Sequence, residues 1–334
     1  MLAVRFGHLG DVVLTTGPLR LFHEDLGLRL TVLTKPAWAP VFTGNPHVEA
    51  VVPFDPSGLS TGDLAARFRE LAKDFPGHGL LDLHGIPRTR LLAALWKGPV
   101  VRYPKFSLER RLFLASGGRL FREILCRHNV PQRYAMALYG KRDVPAQGLL
   151  RPEIHLTEAE LREADGFLAA TFGRADVRPV ALHPFAAHAL KTRPASFWTE
   201  TAALLEAQGI PPLILGVGAP LLPDRPWDCT NRTTLRQTCA LLARCRALVT
   251  GDSGPMHLAT AVGTPVVALF GPTTREWGFY PCGPRDLVIE RALACRPCSL
   301  HGGFHCAKGG DCLDVSPARM VQLLSDFPHG DHDA

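Results

Sequence analysis

Short apolar runs alternate with longer stretches of helical period along most of the chain. The short runs are apolar at successive positions, so both faces of each run are expected to be buried. In the first half these runs cover 2–6, 30–34, 48–53 and 80–84, and the helical stretches cover 12–26, 64–73 and 88–96. Strands that are buried on both faces and joined by crossover helices are typical of a parallel sheet with helices on each side. The first half therefore predicts one doubly wound α/β unit.

A second series of the same kind follows a break at residues 140–152, where charged residues, prolines and glycine interrupt every period. Thr157 opens the sequence Thr-Glu-Ala-Glu, a capping box that predicts a helix over 158–171. Further strands are predicted at 179–183, 212–215, 247–250 and 265–270, and further helices at 195–208, 235–245 and 317–325. We therefore predict an α/β protein of two doubly wound, Rossmann-like domains, residues 1–147 and 148–326, with a loose tail at 327–334. Because ligands bind at the carboxyl ends of the strands in such sheets, we place the site in a central cleft that both domains face.

Composition agrees with two globular domains. The 334 residues are about twice the roughly 150 of a typical domain, and 46% of them are hydrophobic against 20% charged. The 31 glycines and 29 prolines make up about 18% of the chain, below the roughly 25 to 30% typical of low-complexity chains, which excludes collagen-like and disordered chains. The formal net charge of +6 suits an anionic ligand or a membrane surface and does not require nucleic acid. Residues 1–6 are too short an apolar run for a signal peptide and the chain lacks a run long enough to span a membrane, so we expect a cytoplasmic protein.

Asp11 follows the first predicted strand in the turn Gly7-His8-Leu9-Gly10-Asp11, where a helix begins. A carboxylate at this place is either a helix cap or, at the mouth of a sheet, a general base that takes a proton from a hydroxyl. The turn has only two glycines, so it is not a dinucleotide fingerprint, and the chain contains no P-loop sequence. A dinucleotide dehydrogenase is therefore disfavoured, and P-loop phosphoryl transfer is excluded.

The segment Asp252-Ser253-Gly254-Pro255-Met256-His257 stands where another strand ends and a helix begins. Its backbone N–H groups, at the positive end of the helix, suit a diphosphate. The alternative is structural: Asp252 and Ser253 would cap any helix, and His257 could be a packed core residue. Gly271 and Thr273 follow the next strand, and Lys191 and Arg193 follow an earlier one. Because a lysine, amides and hydroxyls would then meet at one edge of the sheet, we expect a site for a nucleotide diphosphate there.

Two further groups of residues carry possible chemistry. Residues 88–133 contain eleven Lys or Arg against two acids, interleaved with apolar residues, which fits either solvated helix faces or a surface for an anionic amphiphile or membrane. Cys295, Cys298, Cys306 and Cys312 form a C-x₂-C-x₇-C-x₅-C cluster. A structural zinc is possible there, but a second C-x-x-C is missing, so a metal-free set that stabilises the loop, reduced or occasionally oxidised, is the favoured interpretation. The other five cysteines are scattered, as expected for reduced thiols.

Several motifs, taken in order, resemble glycosyltransferase family 9, the ADP-heptose:lipopolysaccharide heptosyltransferases. They are Arg5-Phe6-Gly7-His8-Leu9-Gly10-Asp11, Gly44-Asn45-Pro46-His47-Val48, Asp82-Leu83-His84-Gly85, His128-Asn129-Val130-Pro131-Gln132-Arg133-Tyr134, Asp252-Ser253-Gly254-Pro255-Met256-His257 and Phe270-Gly271-Pro272-Thr273. The resemblance extends from about residue 2 to residue 321. It implies the GT-B fold, transfer with inversion at the anomeric carbon, and no essential metal at the donor phosphates.

The resemblance also implies roles for individual residues. Asp11 matches the catalytic base and Lys191 a lysine that holds the donor phosphates. The donor-binding loop is matched by Asp252, Ser253, Gly254 and His257. Two segments depart from the family pattern: residues 185–190 lack the usual hydroxyls, and residues 216–220 lack a glutamate suited to the donor ribose, for which Asp224 is a possible substitute.

The predicted function is therefore an inverting glycosyltransferase that moves a heptose or related sugar from a nucleotide diphosphate sugar, with ADP-heptose expected, to a hydroxyl of lipopolysaccharide inner core or another surface glycan. We expect no required cofactor and an anionic glycolipid or glycan acceptor held by Arg110, Arg111 and Arg119. Peripheral contact with the inner face of the cytoplasmic membrane is expected as well. The alternatives are a non-catalytic nucleotide-sugar-binding paralogue, which the altered loop at 185–190 would suit, and a nucleotide-sugar epimerase.

Overall fold

The computed structural model describes residues 1–303, 306 and 308–325, and it divides into two compact units. The first unit comprises residues 1–107 and 128–155, and the second comprises residues 108–127 and the chain from residue 156 onward. In chain order, the first part of the sequence forms β1 (Leu2–Val4), α1 (Leu9–Val13), α2 (Thr16–Glu24), β2 (Thr31–Thr34), β3 (Ala50–Pro53), α3 (Thr61–Lys73), β4 (Leu80–Asp82), α4 (Pro87–Leu95), β5 (Val100–Arg102), α5 (Ser107–Ala115), α6 (Arg122–Arg127) and α7 (Val130–Tyr139).

The first unit is a parallel five-stranded sheet in the order β3-β2-β1-β4-β5. Its register pairs Leu2 of β1 with Thr31 of β2 on one side and with Leu80 of β4 on the other. Strands β1 and β4 are fully buried, and their apolar side chains pack with Phe6, Phe68 and Trp96 in one core. Because β1 lies in the middle of the sheet, the loop that follows it emerges at the centre of the carboxyl edge.

The second unit repeats this architecture, as the sequence predicts. Its remaining elements are α8 (Glu158–Phe172), β6 (Val180–His183), α9 (Ala195–Ala207), β7 (Pro212–Ile214), α10 (Leu235–Arg244), β8 (Ala247–Gly251), α11 (Gly254–Ala261), β9 (Val266–Phe270), β10 (Leu287–Glu290) and α12 (Pro317–Ser325). The sheet is parallel, in the order β10-β9-β8-β6-β7, and β6, β8 and β9 are buried along their whole length. The predicted α/β class with two parallel-sheet domains is confirmed.

The division into units differs from the predicted one at two places. The boundary lies after His155, whereas the sequence break placed it after residue 147. Residues 108–127, assigned to the first domain by their position in the sequence, belong to the second unit. There the ring of Phe113 meets the edge of Trp277 with centroids 5.6 Å apart, and Arg122 pairs with Glu276 at 3.1 Å. The position of residues 108–127 in the sequence does not reveal which of the two units they pack against.

Some smaller elements were missed. Strands β5 and β10 are short and half-buried, so their apolar pattern is weak, and α5 to α7 lie in the basic stretch that was interpreted by its charge. The predicted tail at 327–334 lies outside the described residues. No helix among those described is long and apolar enough to cross a bilayer.

Helix α8 is fixed to α10 by an ion pair that supports a first prediction. The capping box at Thr157 forms as predicted, and its Glu160 carboxylate also accepts hydrogen bonds from Arg236 at 2.7 and 2.6 Å. Bonding to Arg236 holds the pKa of Glu160 at about 2, below its ordinary value of 4.5. A lowered pKa in the folded state stabilises the fold above the unfolded pKa, and this stabilisation is lost as the pH falls through the folded value.

We expect Glu160→Gln to lower the free energy of unfolding by about 2 kcal/mol at pH 7, because charge-assisted hydrogen bonds are lost. The difference from the native chain should shrink as the pH falls from 4.5 towards 2, a window set by the two pKa values. Urea titrations at several pH values measure it. Glu163→Gln on the same helix, where the exposed carboxylate accepts a single bond from Gln237, is the control and should change stability by less than about 0.5 kcal/mol. A constant difference down to pH 2.5 would contradict the assignment.

Candidate active site

Asp11 lies at the carboxyl edge of the first sheet, one turn beyond the end of β1. Its Oδ2 is 2.7 Å from the Arg5 guanidinium, and its Oδ1 accepts a hydrogen bond of 3.3 Å from the Tyr134 hydroxyl. Arg5 also donates to the Leu83 carbonyl at 2.7 Å, so the guanidinium is fixed between two strand ends. The carboxylate is therefore held in one orientation by two neighbours.

The structure decides between the two interpretations of Asp11. The N-cap residue of α1 is His8, and no side chain caps this helix. Asp11 lies within α1, and its carboxylate is directed to Arg5 and Tyr134. The capping role is therefore wrong. Asp11 is instead an oriented carboxylate, and its side chain is 15% exposed.

Three groups near Asp11, namely Arg5, Tyr134 and His84, have fixed charge states near neutral pH. Burial alone would lower the pKa of Arg5, but the Asp11 carboxylate, Tyr134 and Tyr103 together outweigh burial and raise it, so Arg5 stays cationic. Burial raises the pKa of Tyr134 well above its ordinary value, so its phenol remains a neutral donor. Burial and the nearby Arg5 lower the pKa of His84 to about 3, so His84 is neutral at physiological pH. Asp11 is thus an oriented carboxylate beside one fixed cation and two neutral side chains.

The absence of a side chain at Gly7 leaves room for the imidazole of His84. A Cβ at Gly7 would lie 2.7 Å from Nε2 of His84, and the imidazole has little room to move because it is buried. His84 itself stands in a turn that Asp82 closes, since Oδ1 of Asp82 accepts from the backbone N–H groups of His84 and Gly85. The turn after β1 and the turn after β4 therefore pack directly on each other.

A second set of side chains meets at the carboxyl edge of the second sheet. Oδ2 of Asp252, just after β8, accepts from Nζ of Lys191 at 2.6 Å and from Oγ1 of Thr273 at 2.8 Å. Lys191 ends the turn after β6, and Thr273 follows β9. The expectation that these three residues come together is met, because β6, β8 and β9 are neighbours in the sheet. One oxygen of Asp252 positions both the cation and the hydroxyl.

Ser253 does not cap α11. It occupies the N-cap position without a side-chain bond to the helix, and its hydroxyl instead lies 2.9 Å from Oγ1 of Thr250 and 3.3 Å from Nδ1 of His183. Burial lowers the pKa of His183 to about 4, so this histidine is neutral. Gly254 is the first residue of α11, and His257, one turn further, is buried among core residues. The capping alternative for Ser253 is therefore wrong.

The glycines of this edge allow close packing of the backbone. A Cβ at Gly251 would lie 2.1 Å from the carbonyl oxygen of Lys191, and one at Gly271 would lie 2.7 Å from Cγ of Leu313. The contact at Gly251 is with backbone, which cannot rotate away. Gly251 is thus required where it is if Lys191 is to reach Asp252.

The two departures from the family pattern form one packing feature. The ring of Phe185 lies against Gly216 and Gly218, where added Cβ atoms would come within 2.6 and 2.4 Å of it. Phe185 also meets His183 edge-on, with ring centroids 5.8 Å apart. Asp224 is exposed in the following segment, while the buried Asp228 binds the N–H groups of Leu221 and Leu222. An aromatic ring and two glycines therefore stand where hydroxyls and a glutamate were expected.

The three arginines predicted to hold the acceptor lie in the second unit, which corrects their assignment to the first domain. Arg111 and Arg119 are exposed, and Arg110 is half-buried in α5. The same segment carries four of the large apolar side chains that are most exposed among the described residues, namely Leu108, Leu120, Phe121 and Ile124. The segment is thus basic and apolar on its exposed side.

Arg5, His84 and Tyr134 received no role from the sequence, although all three stand in the motifs that carry the resemblance. A signal was available for Arg5, since a charged residue directly after a wholly apolar strand requires a partner when buried. For Tyr134 there was none, because its contact with Asp11 spans 123 positions of sequence.

The chain is similar to known proteins over most of its length. Residues 119–302, more than half of the chain, match the family model described as Glycosyltransferase family 9 (heptosyltransferase). The chain belongs to glycosyltransferase family 9. It is 25% identical to lipopolysaccharide heptosyltransferase 2 of Salmonella typhimurium over 95% of its own length and 94% of that protein's.

Two solved structures have the same fold. A glycosyltransferase family 9 protein from Veillonella parvula superposes with a TM-score of 0.75 at 18% identity, covering 98% of this chain and 96% of that one. The E. coli ADP-heptose lps heptosyltransferase II gives a TM-score of 0.74 at 22% identity, covering 98% and 97%. The family 9 chain is therefore a glycosyltransferase of the GT-B fold.

Gly251→Ala tests the close approach that holds Lys191. We expect it to lower the free energy of unfolding by about 2 kcal/mol or more, because the added methyl group meets a backbone oxygen. Gly166→Ala in α8, where nothing lies within 4 Å of the added Cβ, is the matched control and should be neutral or stabilising by up to about 1 kcal/mol. Urea titration measures both. Equal stability of the two variants would refute the steric requirement.

Proposed function

We propose that this family 9 glycosyltransferase transfers a heptose from ADP-heptose to a hydroxyl of the lipopolysaccharide inner core, with inversion at the anomeric carbon. The observation that carries the proposal is the Asp11 carboxylate, held by Arg5 and Tyr134 at the mouth of the first sheet. The similarity to lipopolysaccharide heptosyltransferase 2 and to the E. coli ADP-heptose lps heptosyltransferase II supports the choice of sugar, donor and acceptor.

In the proposed reaction, Asp11 takes the proton of the acceptor hydroxyl while the hydroxyl oxygen attacks the anomeric carbon. The bond from that carbon to the phosphate oxygen breaks, and ADP leaves with its electron pair. A positioned general base typically contributes about 10² to 10⁴ in rate. Arg5 favours the ionised carboxylate and fixes its direction. A single displacement of this kind requires one base and inverts the configuration.

Charge that develops on the leaving diphosphate would be stabilised by the second unit. Lys191 uses one of its three donors on Asp252, which leaves two for phosphate oxygens. Thr273 and the uncapped N-terminus of α11 add a hydroxyl and backbone N–H groups. These groups can perform the role that a divalent cation has in other transferases, so we propose that the transfer requires no metal at the phosphates.

Asp11→Asn and Lys191→Ala should separate the two roles. We expect Asp11→Asn to lower kcat at least 100-fold and to leave the affinity for ADP within about threefold, because the base acts on the acceptor proton.

Lys191→Ala should weaken ADP binding at least tenfold and slow transfer as well, because its charge meets the phosphates in the ground state and in the transition state. Titration calorimetry with ADP and initial-rate measurements provide both quantities.

Asp74→Asn, which alters an exposed carboxylate at the end of α3, is the control for this pair. It should leave both quantities unchanged. Full turnover in Asp11→Asn would remove the base from the mechanism, and unchanged ADP affinity in Lys191→Ala would remove the phosphate contact.

We also propose that the exposed part of residues 108–127 binds the anionic acceptor at a membrane surface. The support is the combination of Arg111 and Arg119 with the exposed Leu108, Leu120 and Phe121. Basic residues near an anionic surface contribute about 1 kcal/mol each, and apolar side chains add burial in the interface.

Replacing Arg111 and Arg119 together with Gln should raise the KM for acceptor in anionic vesicles about tenfold in 0.1 M salt. The effect should fade in 1 M salt, where the Debye length falls from about 10 Å to about 3 Å. Arg67→Gln with Arg69→Gln, two exposed arginines on α3 in the first unit, is the matched control. The same KM in both double variants would show that residues 108–127 are only a solvated surface.

A further inference from the structure

Four cysteines of the second unit line one cavity. Cys295, Cys298, Cys306 and Cys312 surround a space of about 240 Å³, together with Leu190, Pro272, Lys308 and Gly310. All four are free thiols. They belong to the segment between β10 and α12, whose described residues contain only one regular element, the short turn Asp311–Leu313. A long segment without strands or helices has little core of its own to hold it in place. Four thiols around one cavity provide a means of fixing it.

The sequence spacing fits a single metal ion. Cys295 and Cys298 form a C-x₂-C pair, which supplies two ligands from one turn, and Cys306 and Cys312 follow within fourteen residues of Cys298. Four thiolates in a tetrahedron select Zn²⁺ or iron over the hard cations Mg²⁺ and Ca²⁺. In the structure no three of these sulfurs lie within 4.8 Å of one another, so rotation about the Cα–Cβ bonds is needed to bring them to the metal.

The cysteine segment is also bonded to the turn that carries Thr273. Arg296, inside the C-x₂-C pair, donates to the carbonyl oxygens of Gly271 and Thr273 at 2.6 and 2.9 Å. The N–H of Cys298 donates to the Pro272 carbonyl at 3.3 Å. Residues 271–273 are therefore held along their backbone by the cysteine segment.

The other contacts of the segment reach Lys191. A Cβ at Gly302 would lie 3.0 Å from Cγ of Lys191, and Leu190 lines the cavity beside the thiols. The cysteine segment thus touches both residues that share Oδ2 of Asp252. Whatever fixes this segment also restricts the lysine and the threonine.

We propose that Cys295, Cys298, Cys306 and Cys312 bind one thiophilic divalent metal ion, Zn²⁺ or Fe²⁺, which fixes the cysteine segment and through it Lys191 and Thr273. Each thiol gives its proton to solvent as its sulfur binds. The ion is structural and does not meet the donor phosphates. Metal binding is independent of the proposed function, whereas the effect on ADP affinity depends on it.

Another group of possible ligands exists in the first unit. Ligand atoms of His47, Glu153 and His155 lie within 4.8 Å of one another. They already bind each other, with Glu153 3.1 Å from His155 and 3.4 Å from His47, and Arg20 pairs with the same carboxylate at 3.2 Å. A cation placed there would compete with a guanidinium, so this cluster serves as the control.

The test is metal content of the full chain, purified anaerobically from medium that contains zinc and iron. We expect about one metal ion per chain by mass spectrometry, less than about 0.1 in Cys298→Ser, and no change in His155→Gln or in Cys126→Ser, which removes an exposed thiol outside the cluster. The element found distinguishes zinc from iron. Metal retained in Cys298→Ser, metal lost in His155→Gln, a metal-free native chain, or a disulfide between Cys295 and Cys298 would each overturn the proposal.

A second measurement uses the native chain, so its outcome does not depend on whether a variant folds. Native chain reloaded with Co²⁺ should show the absorption of a tetrahedral thiolate site, and its absence would contradict four-sulfur ligation. Removing the metal with a chelator should then weaken ADP binding about tenfold. Unchanged ADP affinity after metal loss would refute the link to Lys191 and Thr273, while metal-loaded chain that fails to bind ADP at all would refute the proposed function and leave the metal site standing.

Discussion

One carboxylate oxygen organises the carboxyl edge of the second sheet. Oδ2 of Asp252 is shared by the ammonium group of Lys191 and the hydroxyl of Thr273, so loops from three neighbouring strands meet at a single atom. A half-buried carboxylate with two donors is well satisfied, and its removal would leave a lysine without its partner. The sheet sets the distance between the loops, and Asp252 sets the direction of the side chains.

The first sheet uses a carboxylate in the opposite manner. At Asp252 the acid positions other groups, while at Asp11 the neighbours position the acid. Arg5 is anchored to the Leu83 carbonyl, Tyr134 is buried, and His84 is kept neutral by burial and by the adjacent charge. The result is one oriented carboxylate whose partners Arg5 and Tyr134 keep their charge states near neutral pH.

Much of this arrangement follows from local sequence. The alternation of apolar runs and helical stretches predicted both sheets, the Thr157 capping box formed, and the rule that parallel strands end at one edge brought Lys191, Asp252 and Thr273 together. What failed involved contacts between distant positions. Residues 108–127 pack on the second unit through Phe113 and Arg122, and no pattern within that segment indicates its partner. Tyr134 is placed beside Asp11 by the path of the whole chain.

The packing of Phe185 on Gly216 and Gly218 has a consequence for how this enzyme could diverge. A side chain at either glycine meets the aromatic ring within 2.6 Å, so introducing a glutamate or serine there requires Phe185 to move or to be replaced by a smaller residue. Gly216 adds a backbone constraint, because its φ of 137° is a conformation that residues with a side chain rarely adopt. Changes at these three positions are therefore epistatic. At Gly218, where the atoms closest to an added Cβ all belong to the Phe185 ring, a substitution is tolerated or harmful depending on whether residue 185 has been shortened first.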